Sequence, residues 1–95
     1  MSAYVVLDAV ITDPELYARY RELAAPTLGA FGGRFLARGG AAERLEGERT
    51  PGRIVILEFP SLERARAWWS SPAYAAAREL RQRASTGSML VVEGC

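Results

Sequence analysis

Among the side chains able to carry chemistry, Asp8, Glu58 and Glu93 stand out, because each sits inside an otherwise apolar run. A carboxylate half-buried in such surroundings has its charged form disfavoured, which is how a general acid or base is tuned. Side chains alternate between the two faces of a strand, and the parity of the three acids assigns them to one face. Glu58 and Asp8 are therefore the candidate bases of any proton-transfer reaction. Arg38 admits two readings. It neutralises an acid such as Asp8 at the edge of a sheet, or its planar fork orients an anionic or carbonyl-bearing small ligand.

Tyr20, Trp68, Trp69 and Tyr74 supply most of the aromatic bulk of the helical segments. They fill a core, or Tyr20, Trp69 and Tyr74 wall an apolar pocket with a few polar tips, as small-molecule sites usually do. Only one of two adjacent tryptophans on a helix can point squarely inward, and Trp69 continues the stripe of Leu62 and Ala65. Other chemistries find no support. The chain has no histidine, one cysteine at position 95 and scattered acids, so no transition-metal ligand set is expected, and no cofactor. Ser61, Ser70, Ser71 and Ser88 have no histidine to activate them, and Ser71 before Pro72 reads as a helix cap. Gly32-Gly33 and Gly39-Gly40 lack a phosphate-loop lysine and read as turns.

The elements that position these residues follow from periodicity. Ala3 to Ile11, rich in Val and Ile, is a strand. Thr12-Asp13-Pro14-Glu15 then carries a cap, a first-turn proline and an early acid, and a stripe from Leu16 to Phe31 forms a helix with a kink near Ala25, ahead of Pro26. Arg34 to Arg38 and Arg53 to Phe59 read as a hairpin of two strands, with Glu43 to Glu46 extending the first. Leu62 to Ala84 is helical, broken and restarted at Ser71-Pro72. The last strand is expected over Gly87 to Gly94.

This order is that of an α+β domain of the ferredoxin-like βαββαβ type, a four-stranded antiparallel sheet with helices on one face. One domain is expected over residues 1–95. With strand order 4-1-3-2, Asp8 lies toward one end of the sheet and Glu58 and Glu93 toward the other, so they form no obvious carboxylate pair. Arg38 lies two strands, roughly 9–10 Å, from the first strand, within reach of Asp8 if their faces match.

An antiparallel sheet with one face in water alternates apolar and polar residues, whereas Val5-Val6-Leu7, Ile54-Val55-Ile56-Leu57 and Met89-Leu90-Val91-Val92 are apolar on both sides. One chain has helices for only one face. The other is expected to meet a second copy, giving a homodimer through the sheet face with a two-fold axis. The composition, 49% hydrophobic and 24% charged, is that of a globular protein. A net charge of +1 with dispersed arginines disfavours nucleic acid as a partner. Met1 to Ile11 has no basic leader and contains Asp8, no apolar run spans a membrane, and one cysteine allows no internal disulfide; a cytoplasmic location is expected.

Several phrases occur together and in one order: Thr12-Asp13-Pro14-Glu15 with Tyr17 and Tyr20, Pro26-Thr27, Gly32-Gly33-Arg34-Phe35, Arg38-Gly39-Gly40, Leu45-Glu46-Gly47, Arg53 through Glu58-Phe59, and Ser71-Pro72-Ala73-Tyr74. In this the chain resembles the domain-of-unknown-function 1330 family, within the dimeric α/β-barrel superfamily. The resemblance spans nearly the whole chain and implies a β-sheet dimer with a cavity in each protomer. Superfamily members include cofactor-independent monooxygenases, lactone isomerases and chlorite-dismutase-like haem proteins, but chemistry does not transfer with a fold. The absence of histidine separates this chain from the His-dependent members. The expected function is binding of a small organic metabolite in an intraprotomer pocket, with Arg38 and Glu58 its polar groups. The alternatives are a cofactor-independent enzyme, monooxygenase- or isomerase-like, and a non-catalytic dimerisation module.

Overall fold

The computed structural model describes residues 1–95. Strand β1 (Ala3–Ile11) leads into helix α1 (Pro14–Ala24), strands β2 (Arg34–Arg38) and β3 (Arg53–Phe59), helices α2 (Leu62–Ser70) and α3 (Pro72–Ala84), and strand β4 (Ser85–Glu93). The sheet is antiparallel throughout, in the order β2-β3-β1-β4. This is the expected ferredoxin-like βαββαβ arrangement, with its second helix in two pieces. No helix is long and apolar enough to cross a membrane.

Local sequence sets the helix ends. Asp13 accepts a hydrogen bond from the Leu16 amide at 3.1 Å, and Ser61 accepts one from the Arg64 amide at 3.1 Å. Ser71 does two jobs, donating to the Trp68 carbonyl at 2.7 Å and accepting from the Tyr74 amide at 3.2 Å. It thus closes α2 and opens α3, with Pro72 at the first helical position, where a missing amide proton costs nothing. Ahead of Pro26, where a kink was expected, α1 stops, and two 3-10 turns, Ala25–Thr27 and Gly29–Phe31, carry the chain onward in place of the rest of the expected helix.

The helices cover one face of the sheet. Ala3, Val5, Leu7 and Ala9 of β1, with Val55, Leu57 and Phe59 of β3, pack against Tyr17, Tyr20, Ala24, Leu28, Trp68, Tyr74 and Ala77. Here the structure corrects the choice of tryptophan. Trp68 is 1% exposed, its ring 4.0 Å from that of Tyr74 and 5.3 Å from that of Phe59, while Trp69 is 43% exposed under the Arg78 guanidinium. The stripe Leu62, Ala65, Trp68 advances in steps of three, and the Trp68 indole N–H reaches the Thr27 hydroxyl at 2.9 Å, a partner that a buried indole requires. Position 69 is turned about 100° away.

The hairpin is shorter than expected. Gly39, at φ +72°, donates its N–H to the Ile54 carbonyl and turns the chain out of the sheet, and residues 41–50 are all exposed and form no strand. A charged segment with nothing to pack against has no reason to extend β2. The left-handed backbone conformation at position 39 is what calls for glycine there.

The second face of the sheet is bare. Its middle row, Ala37-Ile56-Val6-Leu90, crosses all four strands and is wholly apolar. On one side of that row lie Arg34 and Glu58, and on the other lies Asp8. The protomer is flat, 33 × 33 × 17 Å by its backbone.

Candidate functional site

A recess opens between α1 and the covered face of the sheet. Val5, Leu7, Val55 and Leu57 form its floor, and Tyr20, Ala24 and Leu28 its roof. Phe35, Trp68 and Met89 line the remaining sides. It is narrow, with a cavity volume of about 30 Å³, room for a couple of waters, and about 450 Å³ when the open mouth is included. Its polar side chains besides the Tyr20 hydroxyl are Arg21, Arg38 and Arg53.

Arg38 reaches this recess because β2 is irregular. Phe35 pairs with Leu57 and Arg38 with Val55, so both stand on the helix side of the sheet although they are three residues apart. A regular strand cannot do this, since side chains alternate with period two. The extra residue is Leu36, at a bulge between Phe35 and Ala37 that turns the rest of the strand over. The Arg38 guanidinium then lies over the Phe35 ring, 4.1 Å from its centre. Consequently Arg38 does not approach Asp8, which occupies the opposite face; the expected pairing fails because parity across a bulge is not conserved.

Arg53 stands on the same side, next to Val55 but one on. Its guanidinium lies 5.5 Å from the Tyr17 ring centre and donates to the Tyr17 hydroxyl at 3.3 Å. The ion pairs of the chain are Arg34–Glu58 and Arg49–Asp8, so none of the three recess arginines is engaged by a carboxylate. At the inner end, the Tyr20 and Tyr74 hydroxyls share a hydrogen bond of 3.0 Å, and Arg81 donates to Tyr74 at 3.4 Å. Burial, reinforced by Tyr74, pushes the Tyr20 phenol far above its ordinary range, so it keeps its proton at any ordinary pH.

The candidate residues thus divide. Arg38 and Tyr20 line the recess; Tyr74 lies behind Tyr20 without reaching it, and Trp69 points away. Asp8 and Glu58 are on the bare face. Asp8 accepts from Arg49 at 2.7 Å and from the Gly52 amide at 2.9 Å. Glu58 accepts from Arg34 Nε at 2.6 Å, and that bond holds its carboxyl below the usual range, the reverse of what a general base at neutral pH needs. The register places Asp8 opposite Ile54 and Glu58 opposite Tyr4, four residues or roughly 13 Å apart along the strand. Glu93 pairs with Ala3 and so falls on the helix side, not with the other two acids as its position in the sequence suggested.

Three members of the recess were not singled out from the sequence. Arg53 shares odd parity with Val55, Leu57 and Phe59, a signal that places it on the core side. Arg21 follows Tyr20 and precedes Ala24 and Leu28 at helical spacing, which puts it on the rim of the same stripe. For Phe35 beside Arg38 there is no such signal, because the bulge has no marker residue.

Comparison with known proteins agrees with this architecture. The model of the family described as domain of unknown function (DUF1330) matches residues 2–95. The chain belongs to the DUF1330 family. Among solved structures it is similar to a protein of unknown function from Rhodopseudomonas palustris, with a TM-score of 0.79, 18% identity and coverage of 99% of this chain and 82% of that one. It is also similar to SnoaB from Streptomyces nogalater, described as a cofactor-independent oxygenase, with a TM-score of 0.63, 11% identity and coverage of 99% and 93%. A dimeric ferredoxin-like protein of unknown function from Jannaschia sp. CCS1 matches with a TM-score of 0.63, 17% identity and coverage of 100% and 99%. At these identities the likeness concerns the fold. No curated protein matches the chain.

Proposed function

We propose that this DUF1330 protein is a single-domain cytoplasmic homodimer, joined through its bare sheet faces, and that each protomer takes a small organic molecule into the recess between α1 and the sheet. The observation that carries the binding reading is an apolar, partly aromatic recess whose charged groups are three arginines without acidic partners. Concave, mostly apolar sites with a few convergent polar groups are the usual form of a small-molecule site.

The dimer rests on the other face. An apolar row bounded by charged residues has the anatomy of an interface, apolar at the centre and polar at the rim. Leu90 and Val92 are each about half exposed in the protomer, a state that packing against a second copy relieves. The dimeric relative from Jannaschia points the same way.

Binding is preferred to proton-transfer catalysis because Asp8 and Glu58 stand outside the recess, each held by an arginine. A pure assembly module has no need of three arginines without acidic partners beside an apolar recess, and this favours the binding reading. Native mass spectrometry of the protein purified from its own host tests both parts. The expected result is a dimer mass carrying a copurified small molecule, and a bare monomer would refute the reading.

A further inference from the structure

Two of the three recess arginines are held ready by aromatic rings. A guanidinium held against a ring keeps N–H groups free, although Arg53 gives one to the Tyr17 hydroxyl, and the contact removes part of the rotamer freedom that binding would otherwise cost. Arg38 is stacked on Phe35 and Arg53 lies against Tyr17, on neighbouring strands, and Arg21 faces them from α1. The chain as a whole is almost neutral, at +1, so this mouth is a local excess of positive charge above an apolar floor.

Resting on the small-molecule reading above, we infer that the recess takes an organic carboxylate with an apolar body, its carboxylate between Arg38 and Arg53 and its body in the open mouth over the sheet. The two-pronged guanidinium matches a carboxylate in geometry as well as in charge. The enclosed part has room for only a couple of waters, so an apolar body would lie in the open mouth, where Tyr20, Phe35 and Trp68 are among the lining residues. An anion without such a body, inorganic phosphate for example, would meet only guanidinium groups near the surface, where salt screens the attraction.

Titration of the full-length protein with 1-naphthoate and with its neutral counterpart 1-naphthamide, followed by amide NMR and calorimetry, tests the inference. Naphthoate is expected to bind about tenfold more tightly or better, the worth of a charge-assisted pair. Arg38→Gln and Arg53→Gln are each expected to weaken naphthoate about fivefold or more and to leave naphthamide within about twofold. Arg38→Lys, which keeps the charge and loses the fork, should fall between Arg38→Gln and the parent. Equal affinity for the two probes, with both shifting recess amides such as Val5, Tyr20 and Val55, overturns the carboxylate inference and leaves the small-molecule reading standing. Competition by inorganic phosphate as strong as that by naphthoate also overturns it, by removing the apolar body from recognition. If neither probe shifts those amides, the small-molecule reading itself fails.

Discussion

Placing one charge at the centre of the bare sheet face gives a demanding test of the assembly. Ile56 sits in the row Ala37-Ile56-Val6-Leu90, between β2 and β1, and is half-buried in the protomer. In the lone protomer Ile56→Asp costs about 1 kcal/mol or somewhat more through lost strand propensity and packing, which leaves the fold intact. In the dimer the carboxylate would be enclosed among apolar side chains. It can escape by taking up a proton, and for an aspartate of ordinary pKa near 3.9 that costs about 4 kcal/mol at pH 7. Two-fold symmetry supplies two copies, so the penalty is about 8 kcal/mol, or roughly six decades in the dimer dissociation constant. A nanomolar dimer would become a millimolar one. Sedimentation velocity at micromolar concentration should therefore show a dimer for the parent and for Ile56→Val, and a folded monomer for Ile56→Asp. Acidification below pH ~4 should restore part of the dimer as the new carboxyl is neutralised. An Ile56→Asp protein that sediments as a dimer at neutral pH would place the interface elsewhere.

Three further outcomes follow from the side-chain geometry. Trp68→Ala should lose about 3–5 kcal/mol in denaturant unfolding, whereas Trp69→Ala should lose no more than about 1 kcal/mol, and acrylamide should quench only the fluorescence of Trp69 efficiently; equal losses would contradict the burial of Trp68. Because folding raises the Tyr20 pKa, its contribution to stability is complete below the ordinary phenol value near 10 and is lost as pH rises beyond it. Phenolate absorbance followed with circular dichroism should show Tyr20 ionising together with alkaline unfolding, and Tyr20→Phe should abolish that last step. Glu58 has its pKa lowered by Arg34, so its contribution holds above the unfolded value near 4.5 and disappears as pH falls through the folded one; Glu58→Gln should flatten the acid limb of the stability curve there, and an unchanged limb would mean the pair is not formed in solution.

Much of the architecture is legible in the chain because its signals are local and mutually consistent. The spans of β1 and β3, the start of α1 and the Ser71-Pro72 joint depend on runs of β-branched residues and on capping chemistry, both visible without tertiary context. The site is harder to read, since it depends on which way side chains face after pairing. Trp68 and Trp69 both fit a stripe that starts at Leu62, and the choice is made by a hydrogen-bond partner, Thr27, forty-one residues away in the chain. Glu93 falls on the other face from the one its parity suggests, because the register of β4 against β1 is a property of two strands, not of one. The expected approach of Arg38 to Asp8 fails, and the cause is a single unpaired residue in β2.

That unpaired residue matters through the bulge it forms. Removal of Leu36 would leave Phe35, Ala37 and Arg38 alternating on the sides they already hold, so Arg38 would stay at the recess. Were Leu36 instead to pair in register with Ile56, Ala37 would turn to the recess and Arg38 to the bare side, stripping the recess of a cation and setting a positive charge into the surface proposed to meet a second copy. Two otherwise separate properties of the molecule are thereby tied to one irregularity in a five-residue strand.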